Sequence, residues 1–226
     1  NYKEGERVVN DLCWILSLAS FSRVAPFYYS FNGETRSPNI SSEAMFFRPL
    51  IDIKNGEATQ FYIEKVWPKY RKAKGTRKLG EIIEMLAIAE LPVQPLEIQL
   101  ALIFIIFENL KSTYAKSKKI PFHKGFYRKV SNSQRSLNSE PTLSFKDLLN
   151  MMFSDVGMNP SLKRIINLRN EIIHFGLSRK SYQSLIKDYD YCHDLVREYL
   201  LRFLNYDGDY FIYSHAARTL KNLEST

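Results

Sequence analysis

Apolar residues recur at the three- and four-residue spacing of an amphipathic helix along most of this chain. The spacing predicts helices at about 8–22, from 61 onward, and at 79–88, 96–115, 143–153, 160–176 and 182–205. Pro95 suits the first turn of the fourth helix, because the first N–H groups of a helix have no intrahelical partner and proline has no N–H. Since residues 96–115 are strongly apolar, we expect this helix to be central and buried.

The pattern changes between the first two predicted helices. Residues 24–31 are rich in aromatic side chains, Asn32-Gly33 is a turn signal, and residues 45–53 include Pro49. Such stretches are typical of extended segments and loops, so we expect a small hairpin in this region.

The chain has 226 residues, of which 45% are hydrophobic, so it can bury a full core. We expect a mainly α fold, with a helical bundle over 92–226 and an N-terminal helical and extended subdomain over 1–91 that includes a small hairpin region. The two parts can also pack as one unit. Cys13 and Cys192 are too few for a disulfide framework or a cysteine metal site, which favours a reducing, cytoplasmic location. The longest apolar run, 100–107, is too short to cross a membrane, so no membrane partner is expected.

A polar trio interrupts the apolar stripe of the sixth predicted helix: Arg169, Asn170 and His174. At about 100° per residue, Asn170 and His174 lie about 40° apart around the helix, and Arg169 can reach the same surface with its long side chain. A guanidinium, an amide and an imidazole together can bind and cleave an RNA phosphodiester without a metal ion. The alternative is structural. The amide and the imidazole would bond to neighbouring turns, and Arg169 would form an exposed ion pair with Glu171.

The net charge of +8 is moderately basic, and its distribution is more informative than its size. Residues 111–139 contain no Asp or Glu. Their basic and aromatic side chains are Lys111, Lys116, Lys118, Lys119, Lys124, Arg128, Lys129 and Arg135, with Phe122, Phe126 and Tyr127. The stretch is either a mobile cationic loop near a phosphate site or a solvated connector. A second basic cluster at 69–78 is typical of a helix end, with nucleic-acid contact as the alternative.

The order of these elements resembles the HEPN (higher eukaryotes and prokaryotes nucleotide-binding) superfamily. The resemblance covers about 95–205: a long apolar helix, a variable segment, the helix with the polar trio, and another long helix directly after it. The chain is most similar to the HEPN modules at the C-terminal end of bacterial anti-phage abortive-infection proteins, including those called ApeA. Two flanking stretches, 12–20 and 204–210, also fit that subgroup.

The resemblance implies a toxin-like, metal-independent endoribonuclease that needs no cofactor and acts as a homodimer, with two copies of the trio in one cleft. Arg169 would bind the phosphate with its forked guanidinium, and Asn170 would orient its neighbours or bond to the phosphate. His174 would transfer protons, since the ordinary pKa of imidazole is about 6.5. Attack by the 2′-hydroxyl of the RNA would leave a 2′,3′-cyclic phosphate and a 5′-hydroxyl. Gly176 stands where the branch controlled by tyrosine nucleotidylation has Tyr, so that form of control is not expected.

Four cations flank the polar trio and are candidate contacts to the RNA backbone: Lys163, Arg164, Arg179 and Lys180. Ordinary helix-end charges are the alternative. The sequence leaves the RNA target open, with tRNA as one candidate. Because the chain starts at Asn1 without methionine, we expect it to be part of a longer protein with a sensor domain upstream.

Two other functions compete with the nuclease. A HEPN-like module can lack catalysis and only bind RNA or nucleotide, or hold two subunits together. A metal phosphohydrolase is suggested by His193, Asp194, Asp188, Asp190, Asp207, Asp209 and His215, although their spacings fit no ligand pattern. We expect His123 and His193 to be core or surface histidines. Glu108 and Asn109 interrupt the central helix, where we expect them to support the trio's helix from behind or to face water.

Overall fold

The computed structural model describes residues 2–26, 29–31, 33–36, 48–92, 94–129, 140–214 and 218–223. The fold is mainly α, as the apolar spacing predicts. The described part of the chain contains the helices α1 (Tyr2–Ser20), α2 (Gly56–Arg77), α3 (Leu79–Ala89), α4 (Leu96–Ser117), α5 (Phe145–Ser154), α6 (Lys163–Phe175) and α7 (Tyr182–Phe203). Within the described ranges, no helix has both the length and the apolar character that a membrane span requires.

Short antiparallel strands lie between the helices. β1 (Tyr29–Phe31) pairs with β2 (Glu34–Arg36) around Gly33, whose φ of 82° suits a tight turn, and this confirms the predicted N-terminal hairpin. The other strands are β3 (Phe122–His123), β4 (Phe126–Arg128) and β5 (Thr142–Leu143), which form one sheet in that order, and β6 (Asp209–Ile212) and β7 (Thr219–Asn222), which form another. Residues 45–47, the first residues of the predicted 45–53 segment, lie outside the described residues.

Helix α4 is the central helix, as its apolar sequence predicts. It packs against α2, α3, α5, α6 and α7, and it buries Leu100, Ile103, Phe104, Ile106, Phe107 and Leu110. The core is continuous across the predicted subdomain boundary, because Ile15 and Tyr62 belong to the same buried cluster as Leu200. Burying this apolar surface is the main stabilising contribution to the fold.

A buried network of charges fixes α7 against the end of α3. The fully buried Arg197 bonds to Glu90 at 2.5 Å and to Asp194 at 3.1 Å. Arg48 reaches the same Glu90 carboxylate at 3.6 Å and Asp190 at 2.8 Å. Charged groups tolerate burial only when they are paired in this way, so the network sets how these elements meet.

The helix that carries the polar trio starts later than predicted. We expect it to begin at Asn159-Pro160, but α6 begins at Lys163 with Leu162 as its N-cap residue, so this prediction is wrong. The reason lies in the preceding segment, where Met158 and Leu162 are both buried in the core. Their side-chain packing, rather than helical hydrogen bonds, fixes the chain before α6.

The basic stretch 111–139 is mostly helix and hairpin, rather than loop, in its described part. Lys111 and Lys116 belong to α4, and β3 and β4 form a hairpin. Lys124 and Gly125 make its turn with φ values of 48° and 83°, the left-handed pair that suits a two-residue hairpin. Residues 130–139, including Arg135, lie outside the described residues.

Candidate active site on helix α6

Helix α6 places the polar trio by burying its opposite face. Ile165, Leu168 and Ile172 are buried in the core, and this orients Asn170 and His174 to solvent. Because side chains four residues apart lie on the same face of a helix, the amide and the imidazole share one exposed surface. Gly176 ends the helix in the left-handed region, with a φ of 75°.

Arg169 is held in place from three sides. Its Nη2 donates to Oε1 of Glu108 at 2.9 Å, and its Nη1 donates to Oδ1 of Asn170 at 3.1 Å. The guanidinium carbon also lies 5.1 Å from the centre of the Phe145 ring, a distance suited to a cation–π contact. The side chain is 25% exposed, so the guanidinium is both positioned and accessible.

Glu108 joins Arg169 to a second cation. Its Oε2 lies 2.8 Å from Nζ of Lys111, and Lys111 lies 5.3 Å from the centre of the Phe145 ring. We call Arg169, Asn170, Glu108, Lys111 and Phe145 the Arg169 cluster. With two cations and one carboxylate, the cluster has a formal charge of +1, which favours an anionic ligand.

The expectation that Glu108 supports the trio's helix is confirmed by its bond to Arg169. Asn109 instead donates to the carbonyl of Ile105 in its own helix at 3.2 Å. The sequence does not point to Phe145, because its contact with Arg169 joins two separate helices and leaves no local pattern. Glu108 can be identified from the sequence, because it is a charged residue that interrupts an apolar helix.

The alternative ion pair between Arg169 and Glu171 is not formed. Glu171 accepts hydrogen bonds from the backbone N–H of Arg179 at 2.6 Å and from the hydroxyl of Ser178 at 3.3 Å. Its carboxylate therefore stabilises the turn that follows α6, and Arg169 bonds to Glu108 instead.

His174 is exposed near the end of α6. Within the part of the chain that the structure describes, no hydrogen bond links its ring to Arg169, to Asn170 or to a neighbouring turn. The structure therefore brings Arg169 and Asn170 into direct contact, and places His174 on the exposed face that carries Asn170, without such a contact. An exposed ring is accessible to a substrate.

The four flanking cations divide into two kinds. Arg164 and Lys180 both pair with the buried Asp188, the lysine at 2.5 Å, so their charge is partly used inside the fold. Lys163 and Arg179 are exposed at the two ends of α6. Contact of these side chains with RNA stays a prediction.

The carboxylates that suggest a metal phosphohydrolase are engaged elsewhere. Asp190 and Asp194 belong to the buried charge network, and Asp207 pairs with Lys65 at 2.6 Å. Among the described residues, no group of three or more His, Cys, Asp or Glu side chains is arranged to hold a metal ion. His215 lies outside them.

His193 is a buried core residue, as expected from the sequence. Its ring packs edge-on against Phe21 and tilted against Tyr189, and its Nδ1 lies 3.3 Å from the Glu90 carboxylate. Burial, with the nearby guanidiniums of Arg197 and Arg48, lowers the pKa of His193 well below its ordinary value. The ring is therefore neutral and takes no part in the α6 surface.

Comparisons of this chain with models of protein families, with curated proteins and with solved structures found no match.

Proposed function

We propose that this chain is a metal-independent endoribonuclease of HEPN type that acts as a homodimer, a toxin-like effector of anti-phage defence in the cytoplasm. The observation that carries the proposal is the arrangement on α6. Arg169 is held at the surface by Glu108, Asn170 and Phe145, and His174 lies exposed on the same helix. A fixed guanidinium and an accessible imidazole on one helix suit phosphate transfer chemistry.

In the proposed reaction the RNA supplies its own nucleophile. The 2′-oxygen attacks the adjacent phosphorus, one imidazole accepts the 2′-hydroxyl proton, and a second donates a proton to the departing 5′-oxygen. Arg169 stabilises the negative charge that builds on the phosphate oxygens. Asn170 positions the guanidinium through its bond to Nη1. The products are a 2′,3′-cyclic phosphate and a 5′-hydroxyl.

The need for two imidazoles supports a homodimer, because each polar trio contains one. Large apolar side chains close to His174 in sequence, and one at the start of α7, stay exposed, which is typical of an interaction surface. They are Ile173, Phe175, Leu177 and Tyr182. A second copy of the chain on this surface would place two His174 rings at one two-fold interface. Dimerisation would therefore both cover the apolar surface and complete the site.

A non-catalytic RNA-binding module is the second candidate, and one observation favours it. The Glu108 carboxylate offsets part of the charge on Arg169, as it would if the arginine only tied α6 to α4. The two candidates differ in turnover, which the following experiment measures.

The test is cleavage of a labelled single-stranded RNA in the presence of EDTA. We expect the parent to cleave, and the rate to fall at least about a hundredfold in His174→Ala and in Arg169→Ala, because each loses a group that acts on the transition state. Arg7→Ala and Asn150→Ala serve as matched controls on exposed faces of α1 and α5, and both should cleave like the parent. A parent that binds RNA without cleaving it would favour the non-catalytic module. Equal rates in the parent and in a folded His174→Ala would refute the proposed mechanism.

A further inference from the structure

A cavity of about 640 Å³ lies directly beside the Arg169 cluster. Its described lining comes from α4, from the β3–β4 hairpin and from β5 and the start of α5: Lys111, Ser112, Lys116, Ile120, Phe122, Gly125, Phe126, Tyr127, Leu143, Ser144, Phe145 and Leu148. Two of these residues, Lys111 and Phe145, also belong to the Arg169 cluster. The cavity and the proposed active site are therefore neighbouring parts of one surface.

The hairpin presents two aromatic rings to solvent at this cavity. Phe122 is 63% exposed and Phe126 is 56% exposed, although burial would stabilise such large apolar side chains. The hairpin is supported from two sides, since Nη1 of Arg128 donates to the carbonyl of Glu140 at 2.9 Å and the Tyr127 hydroxyl lies 3.5 Å from the carbonyl of Ser112 in α4. Phe122 packs edge-on against Tyr127 with ring centres 4.9 Å apart. The rings of Phe122 and Phe126 are therefore exposed to solvent on a hairpin that contacts α4.

The charge around these rings is positive. Lys111 and Lys116 line the cavity, and among its described lining residues there is no Asp or Glu. Lys116 is exposed near the end of α4, and Lys124 is exposed in the turn of the hairpin. Exposed aromatic rings among cations are the features that bind single-stranded nucleic acids, because bases stack on the rings and phosphates pair with the cations.

We propose that this cavity binds a base of single-stranded RNA next to the scissile phosphate. The base stacks on Phe122 or Phe126, its phosphate pairs with Lys116, and the chain of the RNA continues past Phe145 to Arg169. The proposal rests on the proposed nuclease function and adds its substrate class, since the bases of an intact duplex are already stacked and unavailable. The volume lies within the range of ligand-binding pockets, about 300–1,000 Å³.

The experiment measures binding of a fluorescent 2′-O-methyl oligonucleotide by anisotropy, because such a strand has no 2′-hydroxyl and cannot be cleaved. We expect Phe122→Ala and Phe126→Ala together to weaken binding about tenfold or more, and Phe122→Tyr with Phe126→Tyr to restore it. Leu220→Ala is the matched control, since Leu220 is an exposed apolar residue on a separate strand pair. An abasic strand of the same length should bind the parent as weakly as the base-bearing strand binds the double alanine variant.

The lysine contact is tested by salt dependence. Removing one phosphate contact from a single strand lowers the slope of log affinity against log salt by about 0.7, so Lys116→Ala should show that loss. Lys54→Ala, at an exposed position just before α2, should keep the parent slope.

Equal affinity of the parent and the double alanine variant would overturn the proposal. So would equal affinity of the parent for the base-bearing and abasic strands, or binding of an acidic protein at this cavity in place of the oligonucleotide. These outcomes are separate from failure of the nuclease. If the parent does not cleave RNA but binds the 2′-O-methyl strand through Phe122 and Phe126, the base site stands and the nuclease falls.

Discussion

Glu108 is the residue that fixes Arg169, and its two carboxylate oxygens have separate tasks. One accepts from Arg169 at 2.9 Å and the other pairs with Lys111 at 2.8 Å. Because all three side chains are partly exposed, these pairs add little to stability. Their effect is to restrict a long arginine side chain to one orientation, which in the proposed nuclease would hold the guanidinium ready for the transition state.

Glu108→Ala should therefore lower kcat about tenfold and leave KM for RNA unchanged or lower, because the freed Arg169 keeps its charge but loses its position. Glu108→Gln should recover most of kcat, since its amide oxygen can still accept from the guanidinium. Steady-state cleavage kinetics measure both values, with Glu97→Ala in the same helix as the control. A raised KM with unchanged kcat would contradict a positioning role.

His193 makes stability depend on pH. Its folded pKa lies well below the ordinary 6.5, so between these values the unfolded chain binds a proton that the folded chain does not. The free energy of unfolding should then fall as the pH drops below about 6.5, by up to about 1.4 kcal/mol per pH unit from this residue. His193→Phe, which can keep the packing against Phe21 and Tyr189, should remove that part of the slope.

The measurement for His193 is denaturant unfolding of both proteins between about pH 7 and 5. Burial raises the pKa of Glu90 and of Asp190, which gives a slope of opposite sign in both proteins, so the signature of the histidine is the loss of the falling part of the slope. Parallel curves for the parent and His193→Phe would show that protonation of this ring is not linked to folding.

The stability of helix α6 depends on the residue that ends it, Gly176. Gly176 has a φ of 75° and a Cβ added there would meet no atom within 4 Å, so only backbone conformation opposes substitution. Gly176→Ala should lower the free energy of unfolding by about 1 kcal/mol. Gly75→Ala is the matched control, because Gly75 lies inside α2 with the same open space, and alanine should raise stability there by up to about 1 kcal/mol.

Chemical denaturation of both glycine variants measures these opposite signs. Since Gly176 follows His174 by two residues, Gly176→Ala should also reduce cleavage. A gain in stability for Gly176→Ala would show that this position does not require the left-handed conformation.

The helices could be predicted from sequence because each buries an apolar face with a regular period, as α4 and α7 show. The β3–β4 hairpin could not, because its strands are only two and three residues long, too short to show an alternating pattern. Gly125, in the left-handed region, is a local turn signal at this hairpin. In the site, the sequence identifies the polar trio, but the contact of Arg169 with Phe145 depends on tertiary packing that no local pattern encodes.

The proposed active site requires two copies of the chain, because each copy supplies one His174. Phe175 is 72% exposed beside His174, and covering such a side chain favours association. Phe175→Asp should therefore shift the protein from dimer to monomer and lower cleavage at equal concentration, because a buried unpaired carboxylate opposes the interface.

Sedimentation of the parent, of Phe175→Asp and of the surface control Leu220→Asp measures the shift against a chain mass of 26.5 kDa. The specific activity of the parent should also fall on dilution. Full specific activity in a parent that sediments as a monomer would show that one copy is sufficient.

The chemistry of the cut ends tests the proposed nuclease mechanism most directly. A defined single-stranded RNA is incubated with the protein in EDTA, and the masses of the fragments are measured. The proposed mechanism predicts fragments that end in a 2′,3′-cyclic phosphate and begin with a 5′-hydroxyl. It also predicts no cleavage at a position where the 2′-hydroxyl is replaced by hydrogen. Fragments with 5′-phosphates, or cleavage at the 2′-deoxy position, would contradict it.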